Sequence, residues 1–219
     1  NKALELNPSD GAALFFRGVS LHSLERYQDS IRSYDQALAL EPDDASIWFN
    51  KGVSMHAMER YEEAIESYEK SLEISPRDVE SIFNKGIALQ VLERYEEALQ
   101  CYEVIQVIQL WDTAVWFNKG VCLFEMGRPE EALHCFEKAQ ELEPSDAEIA
   151  LRKGLILKAL GRVDEADACF DRAMELTPAE AESWLLELGV EDWTPQAGIS
   201  AAEPAAEEAP AGETWLREE

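Results

Sequence analysis

The sequence repeats itself every 34 residues, and this period constrains the fold more than any single residue does. "WFNKG" stands at 48–52 and again at 116–120, with "SIFNKG" at 81–86 between them. The glycines of this motif, Gly18, Gly52, Gly86, Gly120 and Gly154, are spaced by the full period. Asp10, Asp44, Asp78, Asp112 and Asp146 form a second column. Pro8, Pro42, Pro76, Pro144 and Pro178 form a third, broken where Leu110 stands. Ala64, Ala98, Ala132 and Ala166 form a fourth. A fixed period of this length marks an architecture in which each repeat is one small unit that is stable only when stacked.

The unit itself is readable from hydrophobic spacing. Each holds two runs of helical periodicity. In the second, Ile47, Trp48, Val53, Met55 and Met58 go with the first helix, and Ala64, Ile65, Tyr68 and Leu72 mark the next. The Asp column falls just before each first helix, where a carboxylate accepts hydrogen bonds from free backbone N–H groups. The Pro column falls just after each second helix, which proline cannot continue. Gly and Ala at fixed offsets let the two helices approach closely. A helix pair of this kind cannot bury its apolar face alone, so neighbours stack into a solenoid.

This pattern resembles the tetratricopeptide repeat (TPR) family, over about residues 1–189. Counting Gly11 as position 1, the family pattern is Trp, Leu, Gly and Tyr at positions 4, 7, 8 and 11. Ala, Phe, Ala and Pro follow at 20, 24, 27 and 32. Trp48, Gly52, Ala64, Tyr68 and Pro76 meet it in the second repeat, and Trp116, Gly120, Ala132, Phe136, Ala139 and Pro144 in the fourth. The departure is position 7, where Arg17, Lys51, Lys85, Lys119 and Lys153 replace the family's Leu. The resemblance implies an all-α, right-handed superhelical solenoid of antiparallel helix pairs. Residues 1–10 would end a truncated repeat, 11–180 would form five full repeats, 181–189 a cap helix, and 190–219 an acidic tail rich in Ala, Glu and Pro.

In the family, first helices build a concave groove. Carried over, position 5 supplies Phe15, Phe49, Phe83 and Phe117, and position 9 supplies Val19, Val53, Ile87 and Val121. Position 12 supplies His22, His56, Phe124 and Lys158, and position 6 supplies Asn50, Asn84, Asn118 and Arg152. An amide both donates and accepts, which suits the main chain of an extended peptide. Position 5 aromatics and Asn columns can also serve packing within the solenoid, and that alternative stands beside the binding one. The Lys column reads as architecture: its stems pack while the ammonium groups reach acidic neighbours. A chaperone carboxylate clamp is not expected, because it uses Lys at position 5 and Asn at position 9. The nearer resemblance is to TPRs with an Asn ladder at position 6.

Composition narrows the partners. The formal net charge is −26, and residues 181–219 hold ten Asp or Glu against one Arg. Nucleic acid is disfavoured, since a phosphate binder needs a basic stripe. A basic or apolar peptide suits the acidic chain better. No apolar run approaches the roughly 18–20 residues of a membrane span, so no membrane role is expected. Of the four Cys, Cys101, Cys135 and Cys169 share one repeat position and read as small apolar residues; a reducing cytoplasm is the expected compartment. No metal, cofactor or catalytic set is read. His22 and His56 fall short of the four ligands zinc usually takes, and His134 stands alone. "NKALELNPSD" reads as the tail of a second helix, so Asn1 is not expected to be the native start.

Two stretches break the pattern. "EVIQVIQLWDT" at 103–113 has apolar residues where other repeats have charge and proline, so the helix is expected to run on. Val104, Ile108, Leu110 and Trp111 form a candidate second interface. The tail has a disordered-linker composition, yet it carries Trp193, Trp215 and Leu216 and is itself a candidate occupant of the groove. The chain thus reads as a non-enzymatic scaffold or adaptor that takes an extended peptide of a partner protein, or its own tail. A self-assembling module built from second copies, and the non-catalytic targeting region of a larger protein, stay open beside it.

Overall fold

A computed structural model describes residues 10–108, 112–187 and 190. Every regular element among these residues is an α-helix. The chain divides into two compact units, Asn1–Pro144 and Ser145–Glu219. The 34-residue period passes through that boundary without a break.

The first unit holds four helix pairs: α1 (Gly11–Ser23) with α2 (Tyr27–Leu38), α3 (Ala45–His56) with α4 (Tyr61–Ile74), α5 (Val79–Val91) with α6 (Tyr95–Ile108), and α7 (Thr113–Glu125) with α8 (Pro129–Leu142). Within this unit α2, α4 and α6 each pack between their own first helix and the first helix that follows, α8 packs on α7, and α1, α3, α5 and α7 touch in order. The Asp column does what its position predicts. Asp44 Oδ1 accepts from Ser46 N at 2.8 Å, Asp112 Oδ1 from Ala114 N at 2.9 Å, and Asp10 Oδ1 from Ala13 N at 3.0 Å. Each of these bonds satisfies a donor the helix leaves free at its start.

Between paired helices the chain turns in the left-handed region. Glu25, Glu59 and Glu93 sit there at φ 58°, 59° and 59°, and Gly127 holds the same column at 71°. The turn is closed by Glu25 N–H to His22 O at 2.8 Å and Arg26 N–H to Leu21 O at 2.9 Å, a pattern repeated at the later turns. Such bonds use carbonyls the ending helix would otherwise leave unpaired. The second helices open without a side-chain cap, but acids in their first turn favour the positive helix end.

The core of each pair is one ring laid on one glycine. Tyr34, Tyr68, Tyr102 and Phe136 are fully buried or nearly so. A Cβ on Gly52 would stand 2.6 Å from Cε1 of Tyr68, and a Cβ on Gly120 would stand 2.6 Å from Cε2 of Phe136. The glycine column therefore exists to admit the aromatic column sixteen residues later. Ala64, Ala98 and Ala132 are fully buried beside it. In the first pair Ser30 takes that place and donates to Gly18 O at 2.8 Å. Cys122 and Cys135 are buried free thiols, their pKa pushed by burial up to about 12 and about 11. They are uncharged and act as small apolar residues.

The second unit pairs α9 (Ala147–Ala159) with α10 (Val163–Leu176), and α11 (Pro178–Glu187) packs on both. Ala181, Leu185 and Val190 are buried there. Pro178 is the first residue of α11, where its missing N–H costs nothing. This helix starts three residues before the expected 181. The expected run-on of α6 through Leu110 and Trp111 lies outside the described residues, as do residues 1–9 and the tail with Trp193, Trp215 and Leu216. The described part of α6 ends at Ile108, in register with Ile74 of α4 and Leu142 of α8.

Candidate protein-interaction surface

The side chains expected in a groove gather on the row of first helices in the first unit. Phe15, Phe49, Phe83 and Phe117 are half-buried, each resting on the buried ring of its own pair. Ring centroids are 6.0 Å apart for Phe15 on Tyr34, Phe49 on Tyr68 and Phe83 on Tyr102, and 5.3 Å for Phe117 on Phe136. One face of each phenylalanine is thus held by the core. Val19, Val53, Ile87 and Val121 are half-buried one turn further along, and so are His22, His56 and Phe124.

The asparagines are built into their helices. Asn50 Nδ2 donates to Ser46 O at 2.8 Å, Asn84 Nδ2 to Glu80 O at 2.9 Å, and Asn118 Nδ2 to Ala114 O at 2.8 Å. They are half-buried rather than fully exposed. One N–H is thus spent on fixing the amide's orientation, which sequence reading did not anticipate. Each Oδ1 has no hydrogen-bond partner among the described residues.

The lysine column is architectural. Lys51 Nζ meets Asp35 at 2.7 Å, Lys85 Nζ meets Glu69 at 2.6 Å, and Lys119 Nζ lies 3.6 Å from Glu103 while donating to Gln106 Oε1 at 3.0 Å. Their side chains are mostly buried, and Lys51 also lies 5.1 Å from the centroid of the Trp48 ring. Each lysine ties a first helix to the second helix of the preceding pair, so the column fastens one repeat to the next.

Position 12 reaches across to the next repeat. His22 Nδ1 is 2.9 Å from Ser54 Oγ, and Cys122 Sγ is 3.4 Å from Gln90 Oε1. His56 Nδ1 is buried with no partner, and desolvation lowers its pKa from the ordinary 6.5. Among the described residues no group of three or more candidate ligands could hold a metal ion, and no helix is long and apolar enough to cross a membrane. Arg152 and Lys158 lie on α9 in the second unit, where Arg152 pairs with Glu148 at 3.3 Å.

A cleft missed by sequence reading lies between α4 and α6, on the other side of the first-helix row. It measures about 360 Å³ and is lined by Leu72, Pro76, Lys85, Gln100, Cys101 and Val104 among others. The absence of charge at Val104 and of bulk at Cys101 was its signal in the sequence.

Models of the tetratricopeptide repeat match residues 23–79, 67–100, 113–146 and 147–180. No curated protein matches the sequence. Among solved structures, YrrB, described as a TPR protein with an unusual peptide-binding site, is similar with a TM-score of 0.72 and 24% identity over 85% of this chain and 96% of that one. MamA from Desulfovibrio magneticus RS-1 is similar with a TM-score of 0.72 and 21% identity over 78% of this chain and 97% of that one. A further MamA crystal structure shows a TM-score of 0.72 and 19% identity over 78% and 94% of the two chains. These likenesses are of fold: stacked antiparallel helix pairs.

Proposed function

Because the chain belongs to the tetratricopeptide repeat family, we propose that it is a non-catalytic protein-interaction scaffold that takes an extended peptide segment along its row of first helices. What carries the reading is the register of Asn50, Asn84 and Asn118. Each amide is pinned by its own helix and keeps an Oδ1 acceptor without a partner among the described residues, beside a phenylalanine held on one face by the core. Fixed acceptors recurring once per repeat can accept from peptide N–H groups without losing side-chain freedom on binding. The neighbouring Phe and Val or Ile columns would supply apolar contact. The peptide-binding site attributed to YrrB supports the same use of a similar fold.

Charge specifies the partner further. Positions 5, 6, 9 and 12 of α1, α3, α5 and α7 hold no Lys, Arg, Asp or Glu, although the chain carries −26 overall. The segment taken is therefore apolar where it lies on the row, with basic flanks favoured by the surrounding field. The free thiols suit a reducing, cytoplasmic setting.

Random peptides selected on the intact protein provide the test. Asn84→Ala with Asn118→Ala removes two acceptors, each worth about 0.5–1.5 kcal/mol net. Affinity for the selected peptides is expected to fall about five- to a hundredfold. The helical circular dichroism should stay nearly unchanged, since alanine's helix propensity offsets the lost side-chain bond. Selected peptides that bind the double variant as tightly as the parent would remove the amide row from the function.

A further inference from the structure

The side of the first unit away from the first-helix row carries a repeated ion pair. Lys70 reaches Glu73 at 2.8 Å on α4, and Lys138 reaches Glu141 at 2.7 Å on α8. These residues occupy the same two columns of the repeat, one helical turn apart. On α6, between them, the two columns hold Val104 and Val107. Val104 is 46% exposed, Val107 87% and the adjoining Ile108 41%. Val104 also lines the cleft between α4 and α6. A lone exposed valine is ordinary surface. Here an apolar stripe at i, i+3 and i+4 replaces an ion pair at the centre of a charged face.

We propose that this face is an interface between two copies of the chain, related by a twofold axis that crosses α6 between Val104 and Val107. Self-complementarity is what singles out a second copy. The axis lies in the plane of the face and across the helices, so α6 runs antiparallel to its counterpart. Val104 of each copy then meets Val107 of the other. The period keeps the columns of α4, α6 and α8 in register, so the same axis sets Lys70 against Glu73 on one flank and Lys138 against Glu141 on the other. Each cation is met by a carboxylate. These four charges sum to zero, and on each flank of the stripe the axis sets opposite charges against each other. The cleft beside Val104 leaves room for an apolar side chain of the second copy. The interface lies on the opposite side from the peptide row, so the two can fail separately.

Sedimentation velocity of the full chain over a concentration series tests this, at an ionic strength of about 0.15 M where the Debye length is about 8 Å. The parent chain is expected to show a concentration-dependent monomer–dimer equilibrium. Val104→Lys with Val107→Glu installs the pair that α4 and α8 already carry, so the fold should be kept. The dimer dissociation constant should rise at least about tenfold. Lys70→Glu with Lys138→Glu makes both flanks acidic, and Glu73→Lys with Glu141→Lys makes both basic. Each variant alone should dimerise less, and an equal mixture of the two should recover pairing. A parent chain that stays monomeric up to about 1 mM, the weak end of the affinity scale, overturns the proposal. So does a Val104→Lys, Val107→Glu chain that associates like the parent, or a charge-swapped mixture that does not pair.

Discussion

His56 has its ring 5.1 Å from Tyr61 and its Nδ1 buried without a partner, although the same column is satisfied in the repeats on either side. His22 meets Ser54 and Gln90 meets Cys122, each two columns short of its own position in the next repeat. For His56 that place is Ala88, which has no polar atom to offer. An orphaned buried polar group costs more than a made hydrogen bond gains. Ala88→Ser copies the arrangement at Ser54 and should raise stability by about 1 kcal/mol in urea denaturation. The pH dependence follows from the same burial. With the folded pKa lowered from 6.5, the unfolded chain binds the proton more tightly. The stability neutral His56 contributes is complete above 6.5 and is lost as pH falls below it, through the lowered folded value. His56→Gln, which copies Gln90, should remove that part of the pH dependence while leaving the acid transition of the carboxylates. That later transition belongs to Glu63, Glu97 and Glu131, held below their ordinary 4.5 by hydrogen bonds from Arg60, Arg94 and Arg128. At the residue scale, the sequence announced the position of His56 but not its missing partner, because a vacancy shows only when the next repeat's column is laid beside it.

The turns between paired helices place three glutamates where glycine is at ease. Glu25, Glu59 and Glu93 are at positive φ, while Gly127 and Gly161 hold the same column in later repeats. A left-handed residue with a Cβ costs roughly 1–2 kcal/mol, partly returned through glycine's larger unfolded-state entropy. Glu59→Gly should therefore stabilise by about 0.5–1 kcal/mol, measured as a higher denaturation midpoint with unchanged slope. Gly127→Ala should do the reverse. Helix starts and stops were legible because Asp and Pro mark them chemically in nearly every repeat. The left-handed turn was less so, since glutamate hides the conformation that Gly127 and Gly161 reveal. The cleft beside Val104 depends on how far two second helices stand apart, which no spacing in one chain states. The amide row was legible as a column, but its bond to the carbonyl four residues back depends on a rotamer.

At the largest scale, the 34-residue period gives the first unit two opposed surfaces built from one repeated helix pair. The core of each pair, a ring on a glycine, leaves the next ring over half-buried on the first-helix side. The second helices carry the surplus of carboxylates and face away. The proposed peptide row on one side and the apolar stripe on the other need no mobile element, because both are carried by helices tied together through lysine–carboxylate pairs. The central claim is that Asn50, Asn84 and Asn118 contact the bound segment. A nuclear magnetic resonance titration that follows their three side-chain amide signals, with a peptide selected on the intact chain, tests it most directly. All three signals should shift together and saturate with the binding curve, while the backbone amide of Val107 stays in place. Saturation with the three side-chain amides unmoved, or with the shifts gathered on α6, would contradict it.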